Sequence, residues 1–136
     1  MTTLTPRLRL RILVFEELPG IWVGRALEHD VLAEGRTIQA AVQAVLRITR
    51  AHVEFDRRHN REPLSGFRSA PQAYWNAFTR AMPLAWASSL AGMLPQGAEV
   101  MAAVATERPR HDASMDAMNR AIPPVYAAAS SRSARV

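Results

Sequence analysis

The chain has 136 residues, of which 49% are hydrophobic and 21% charged, a composition that fits one globular domain with one modest core. It contains no cysteine, so thiol chemistry and a disulfide framework are excluded. Its formal net charge of +5 rests on 17 basic residues that are all arginine, too mild a balance to make any one segment a strong polyanion magnet.

The first predicted element is a strand. From Leu8 to Val14 the even positions Leu8, Leu10, Ile12 and Val14 are apolar while Arg7, Arg9 and Arg11 alternate with them, the period of a half-buried strand. All three arginines then lie on one face, where they either solvate an edge against stray strand pairing or offer a positive stripe to an acidic partner or an RNA backbone. "EELPG", Glu16 to Gly20, reads as a hairpin turn, since proline fixes φ and glycine accepts a positive one. Ile21 to Glu28 makes the second strand. Its parity is ambiguous, because Ile21, Val23 and Leu27 alternate with Trp22, Gly24 and Ala26 while Arg25 falls on the first set. We expect Gly24 and Ala26 to lie under a helix, where small side chains permit close approach. Trp22, if it faced away from that helix, would be an exposed aromatic anchor. "EHD", Glu28 to Asp30, turns the chain into a short third strand, Val31 to Glu34.

Gly35 ends that strand and Thr37 is a natural N-cap. Ile38, Ala41, Val42, Val45, Ile48, Thr49 and Phe55 recur at spacings of three and four, predicting an amphipathic helix that runs to about Arg58 and lies across the strands. A loop, His59 to Pro71, follows. "PQAYWNAFTRAM" predicts a short second helix with Tyr74, Trp75, Phe78 and Met82 on one side, ended or bent by Pro83. Leu84 to Leu94 is apolar but broken by Ser88, Ser89 and Gly92, and carries no clear period. Ala98 to Ala105 reads as a fourth strand. Beyond Glu107 the chain is Ala, Ser, Arg and Pro with few large apolar residues, which predicts a poorly ordered tail.

The expected fold is therefore α+β: a small three- to four-stranded, mainly antiparallel sheet with one long helix on one face and a short second helix. We divide the chain into a β-β-β-α module with its aromatic helix (1–82), a C-terminal extension (83–106) and a low-complexity tail (107–136).

Chemistry-bearing constellations are sparse. His52, Asp56 and His59 share a helical side but sit among Arg50, Arg57 and Arg58, whose charge opposes a cation. No Gly-x-Ser-x-Gly elbow, P-loop or dinucleotide fingerprint occurs. A two-metal nuclease needs converging carboxylates, and the first three strands offer only Glu16, Glu17, Glu28, Asp30 and Glu34, all at turns or strand ends. The expectation is a chain without enzymatic activity, cofactor or metal.

"RILVFEE", "GIWVGRALEHDVLAEGRTIQAA" with its Gly-x-Thr entry to the helix, and "REPLSGFRSAPQAYWNAF" together resemble the HicB-like family over roughly Arg9 to Met82. The resemblance implies a partial ribonuclease H-like fold and a protein-binding module, in the better-known members an antitoxin that caps a small messenger-RNA-cleaving toxin. After Met82 we see neither a helix-turn-helix nor a ribbon-helix-helix, so the chain either does not repress its own promoter or has left the toxin–antitoxin role. A stand-alone regulatory or RNA-binding protein is the alternative. Arg7, Arg9, Arg11, Trp22 and Arg25 are the candidate partner-binding residues. A small sheet leaves an edge or face to cover, which predicts a homodimer or higher oligomer. The first twenty residues lack a signal-peptide core and no run approaches the about 18 apolar residues of a membrane span, so a cytoplasmic location without membrane contact is expected.

Overall fold

The computed structural model describes residues 8–95 and 97–109 and the backbone of 125–126. Strand β1, Arg9–Leu18, runs past the predicted end to the turn at Pro19–Gly20 and pairs antiparallel with β2, Ile21–Ala26. Gly20 takes φ 79°, as the turn demands of it, and donates its N–H to Glu16 Oε2 at 2.9 Å. Strand β3, Val31–Gly35, pairs antiparallel with β2, placing Gly24 opposite Ala33 and Arg25 opposite Leu32.

Thr37 does what its position predicts. Its hydroxyl accepts from Ala40 N at 3.0 Å and opens α1, Ile38–Arg58, which ends in Arg57 and Arg58 beside the negative pole of the helix. The helix lies over β2 and β3 on the side of Leu10, Ile12, Val14, Ala26, Val31 and Ala33, burying Ala41, Val42, Val45 and Leu46 against them. Two glycines permit this closeness. A Cβ on Gly24 would stand 2.9 Å from Val45 Cγ2 and 3.1 Å from the Ala41 carbonyl oxygen, and one on Gly35 would stand 2.5 Å from Ala41 N. The expectation that Gly24 and Ala26 lie beneath the helix holds.

After the helix, Arg61 N donates to Asp56 O and Leu64 N to Asp56 Oδ2, both at 2.8 Å, turning the chain back beneath it. Helix α2, Gln72–Arg80, then crosses the opposite face of the sheet and buries Tyr74 there, so both faces carry a helix. Met82 is not on this helix as expected. It begins the two-residue strand β4, Met82–Pro83, and is exposed, because the helix stops at Arg80 before Pro83 can interrupt it. Ala85–Met93, which the sequence left without a period, forms successive 3₁₀ turns over the α1-side core through Ala87, with Ser88 and Ser89 hydroxyls bonded to the carbonyls of Ala85 and Trp86.

The predicted fourth strand is β5, Glu99–Val104, and it enters the sheet beside β1 and parallel to it, Arg9 facing Glu99 and Val14 facing Val104. With β6, Val125–Tyr126, parallel to β3, the order is β4-β5-β1-β2-β3-β6. The protein is thus α+β, as expected, with a mixed sheet of more strands than the sequence suggested. A long connection through two helices is what allows the parallel return. Within residues 83–106, β4 and β5 join this sheet and the 3₁₀ turns pack on its α1-side core. The expected tail, 107–136, lies outside the described residues except for 107–109 and the backbone of 125–126. Among the described residues no helix is long and apolar enough to cross a membrane.

Candidate partner-binding face

Alternation along β1 divides its side chains cleanly. Up to Phe15, before the register shifts, Leu10, Ile12 and Val14 go to α1, and Arg9, Arg11, Leu13 and Phe15 go to the other face. Register then fixes their neighbours: Glu99, Met101 and Ala103 on β5 stand opposite Arg9, Arg11 and Leu13, while Arg25 and Val23 on β2 stand opposite Leu13 and Phe15. Helix α2 covers only part of this surface. Tyr74 packs on Phe15 with ring centroids 6.1 Å apart, above Leu13, Val23, Leu27 and Leu32.

Arg25 lies inside the covered part. Its Nε and Nη2 reach Asp30 Oδ1 and Oδ2 at 2.6 and 3.1 Å, and its guanidinium carbon sits 4.0 Å from the Tyr74 ring centroid. Both charged residues are buried. Arg25 is therefore withdrawn as a partner-binding candidate. A charge at this depth needs a fixed counter-charge, and the turn supplies one by holding Asp30 at φ 49°, a conformation aspartate tolerates.

Trp22 is corrected as well. It is half-buried on the α1 side against the first core, not an anchor facing away from the helix. The reason is its parity with Gly24 and Ala26. Arg7 lies outside the described residues.

Arg9 and Arg11 remain, and each has an acidic neighbour. Arg9 Nη2 lies 3.5 Å from Glu99 Oε1. Arg11 is more tightly held: Nη1 lies 3.4 Å from Glu28 Oε2, its backbone N–H donates to Glu28 Oε1 at 2.8 Å, and its guanidinium stands 5.3 Å from the Trp75 ring centroid. Burial pushes the Glu28 carboxyl above its ordinary 4.5, opposed by the backbone N–H groups of Arg11 and of Glu28 itself and by the charges of Arg11 and Arg9. Beside it, half-buried His29 is pushed below its ordinary 6.5 by desolvation, and its Nδ1 has no hydrogen-bond partner among the described residues. The loop before α2 is pinned to the same turn: Ala70 N and Ser69 Oγ both donate to Leu27 O, and Trp75 Nε1 donates to Ser69 Oγ at 2.9 Å.

The result is a corner that α2 leaves open. Met101, 51% exposed, stands opposite Arg11 and next along the sheet to the Arg9–Glu99 pair, with Trp75 beyond Arg11. Sequence reasoning found Arg9 and Arg11 but missed Met101, Glu99 and Glu28 as their neighbours. Only the register of a parallel pairing between distant segments brings β5 there, and no local pattern announces it.

Elsewhere, the residues considered for a metal are engaged otherwise. Asp56 accepts from Leu64 N, His59 Nδ1 lies 2.9 Å from Phe55 O, and the His52 ring meets Phe67 edge-on at 5.0 Å. Among the described residues no group of three or more histidines and carboxylates could hold a metal ion. Compared with protein-family models, with curated proteins and with solved structures, the chain matches none.

Proposed function

We propose that this chain is a non-enzymatic, HicB-like module that docks a small toxin protein on the open corner of its second sheet face and works in the cytoplasm as a homodimer. One observation carries the docking site: exposed Met101 beside two ion-paired arginines and Trp75. Methionine, arginine and aromatic side chains are the types that interface centres favour, and a polar rim around an apolar centre is how such surfaces are built. The three-strand, Gly-x-Thr and long-helix order of residues 9–58 supports the family reading. Support for a binding role over catalysis comes from the carboxylates. Glu16, Glu28, Asp30 and Glu99 each serve an N–H or an arginine of the sheet and do not converge on one point.

RNA as the partner of the first-strand arginines has less support, since Glu99 and Glu28 offset the charges of Arg9 and Arg11. The test is co-expression with a small basic protein encoded beside this one. Growth rescue and a stoichiometric complex, lost on Met101→Asp, are expected; a neighbour that is neither toxic nor bound would overturn the toxin reading. For the free protein, light scattering at micromolar concentration should give twice the chain mass, and a monomer alone would remove the homodimer.

A further inference from the structure

We propose that the outward surface of the second half of α1 binds single-stranded nucleic acid. Arg47, Arg50 and Glu54 follow one another at three- and four-residue steps, and Arg57 and Arg58 lie three and four residues beyond Glu54, so they share a helix face, and all are exposed. Arg61 joins them because its N–H bonds back to Asp56 O, which brings its guanidinium 5.8 Å from the Phe55 ring centroid. Phe55 itself is 42% exposed and stacks on the exposed ring of His59 at 4.1 Å.

The acids of this region do little to neutralise it. Asp56 is half-buried and committed to Leu64 N, Glu54 makes one exposed pair with Arg50 at 3.3 Å, of the kind worth little in water, and exposed Glu62, next to Arg61, makes no ion pair with any described residue. Among the described residues Arg47, Arg57, Arg58 and Arg61 have no carboxylate within ion-pair distance; the same is true of Arg36, Arg68 and Arg80 outside α1, so it is the gathering of these four along the second half of the helix and just past its end that distinguishes the patch. The helix macrodipole would account for cations in the last turn, but not for Arg47 about three turns earlier or for a stacked ring pair left in water.

Unpaired guanidinium groups around an exposed aromatic platform match one class of ligand: a chain of phosphates with unstacked bases between them. Phosphates are recognised by arginine and bases by rings, and a duplex would hide its base faces from this platform. The inference does not rest on the toxin-binding reading and uses another surface.

The experiment is fluorescence anisotropy of the full chain with a labelled twelve-nucleotide RNA of mixed sequence, repeated over a salt series. Binding should weaken as salt rises, with a log–log slope of about −0.7 for each phosphate neutralised. Arg57→Gln with Arg58→Gln keeps helix propensity and should reduce the slope by about 1.4. Phe55→Leu keeps an apolar contact without the stacking face and should weaken binding about five- to a hundredfold, with unchanged circular dichroism. Arg36→Gln, outside the patch, should leave binding within about twofold. Binding that ignores both sets of substitutions would overturn the proposal. So would polyglutamate that competes as well as the RNA while Phe55→Leu has no effect, since the surface would then be a site for acidic protein.

Discussion

The two faces of the sheet solve the same burial problem with different chemistry. On the α1 side the core is apolar apart from Thr49, whose buried hydroxyl is spent on Val45 O within the helix, and the helix comes so near that two glycines are needed beneath it. On the α2 side a short helix covers only part of the face, and the buried set contains an arginine and an aspartate locked to each other. A closely packed apolar face is sensitive to volume, whereas a face holding a buried ion pair is sensitive to charge. The contrast also has a consequence for exposure: the face that is not fully covered is the one that leaves Met101 in water.

Breaking the buried pair should have the largest effect. Asp30→Asn keeps a residue that tolerates the positive φ but leaves the Arg25 charge without its counter-ion, and should cost about 3–5 kcal/mol in urea unfolding. Arg25→Met should cost a similar amount by stranding Asp30. The double variant should be much less destabilised than the sum, because the penalty of each single change is an uncompensated charge and the double has none. Additive costs would mean that Tyr74 packing, not the ion pair, holds this face.

Volume changes on the other face come next. Gly35→Ala puts a Cβ against backbone atoms of Ala40 and Ala41, which only a shift of the helix start can relieve, and should cost about 2–3 kcal/mol. Gly24→Ala meets the movable end of Val45 first and should cost about 1–2 kcal/mol. Thr37→Ala, which removes the cap without touching either face, should cost about 1 kcal/mol. Thermal melts of the three variants in one buffer would test this order. Gly24→Ala costing more than Gly35→Ala would show that Val45 has no alternative rotamer.

The same contrast explains how much was legible in the sequence. The α1 face could be read from residues 8 to 58 because each signal there is local: period two in β1, small residues at Gly24 and Ala26, a cap at Thr37, and three- and four-residue steps after it. The second face could not. Arg25 made the parity of β2 look contradictory, because burying an arginine is sensible only once its counter-ion is known, and Asp30 lies in a turn whose geometry the sequence leaves open. Met101 and Glu99 reached the arginine stripe through a parallel pairing with β1 that no spacing encodes. Trp22 misleads for the converse reason: aromatic character suggests an interface, while the strand's alternation sends it under α1.

The smallest expected effect uses protons to tell the faces apart. No ionisable group belongs to the α1-side core, whereas the turn that closes the α2 side holds Glu28, His29 and Asp30 together. Desolvation holds His29 below 6.5 in the folded state, so as pH falls through 6.5 the unfolded chain takes up a proton that the folded chain refuses, and stability declines down to the folded value. Glu28 acts with the opposite sign. Burial raises it above 4.5, so in the window just above 4.5 the folded chain takes the proton first and gains stability as pH falls. Urea midpoints measured from pH 7.5 downward should therefore first fall and then flatten or recover on approach to 4.5, and His29→Gln should remove the fall while Glu28→Gln removes the recovery. If His29→Gln leaves the profile unchanged, the loss of stability below pH 6.5 originates outside this turn, and the division into a volume-sensitive face and a charge-sensitive one fails at its most easily titrated point.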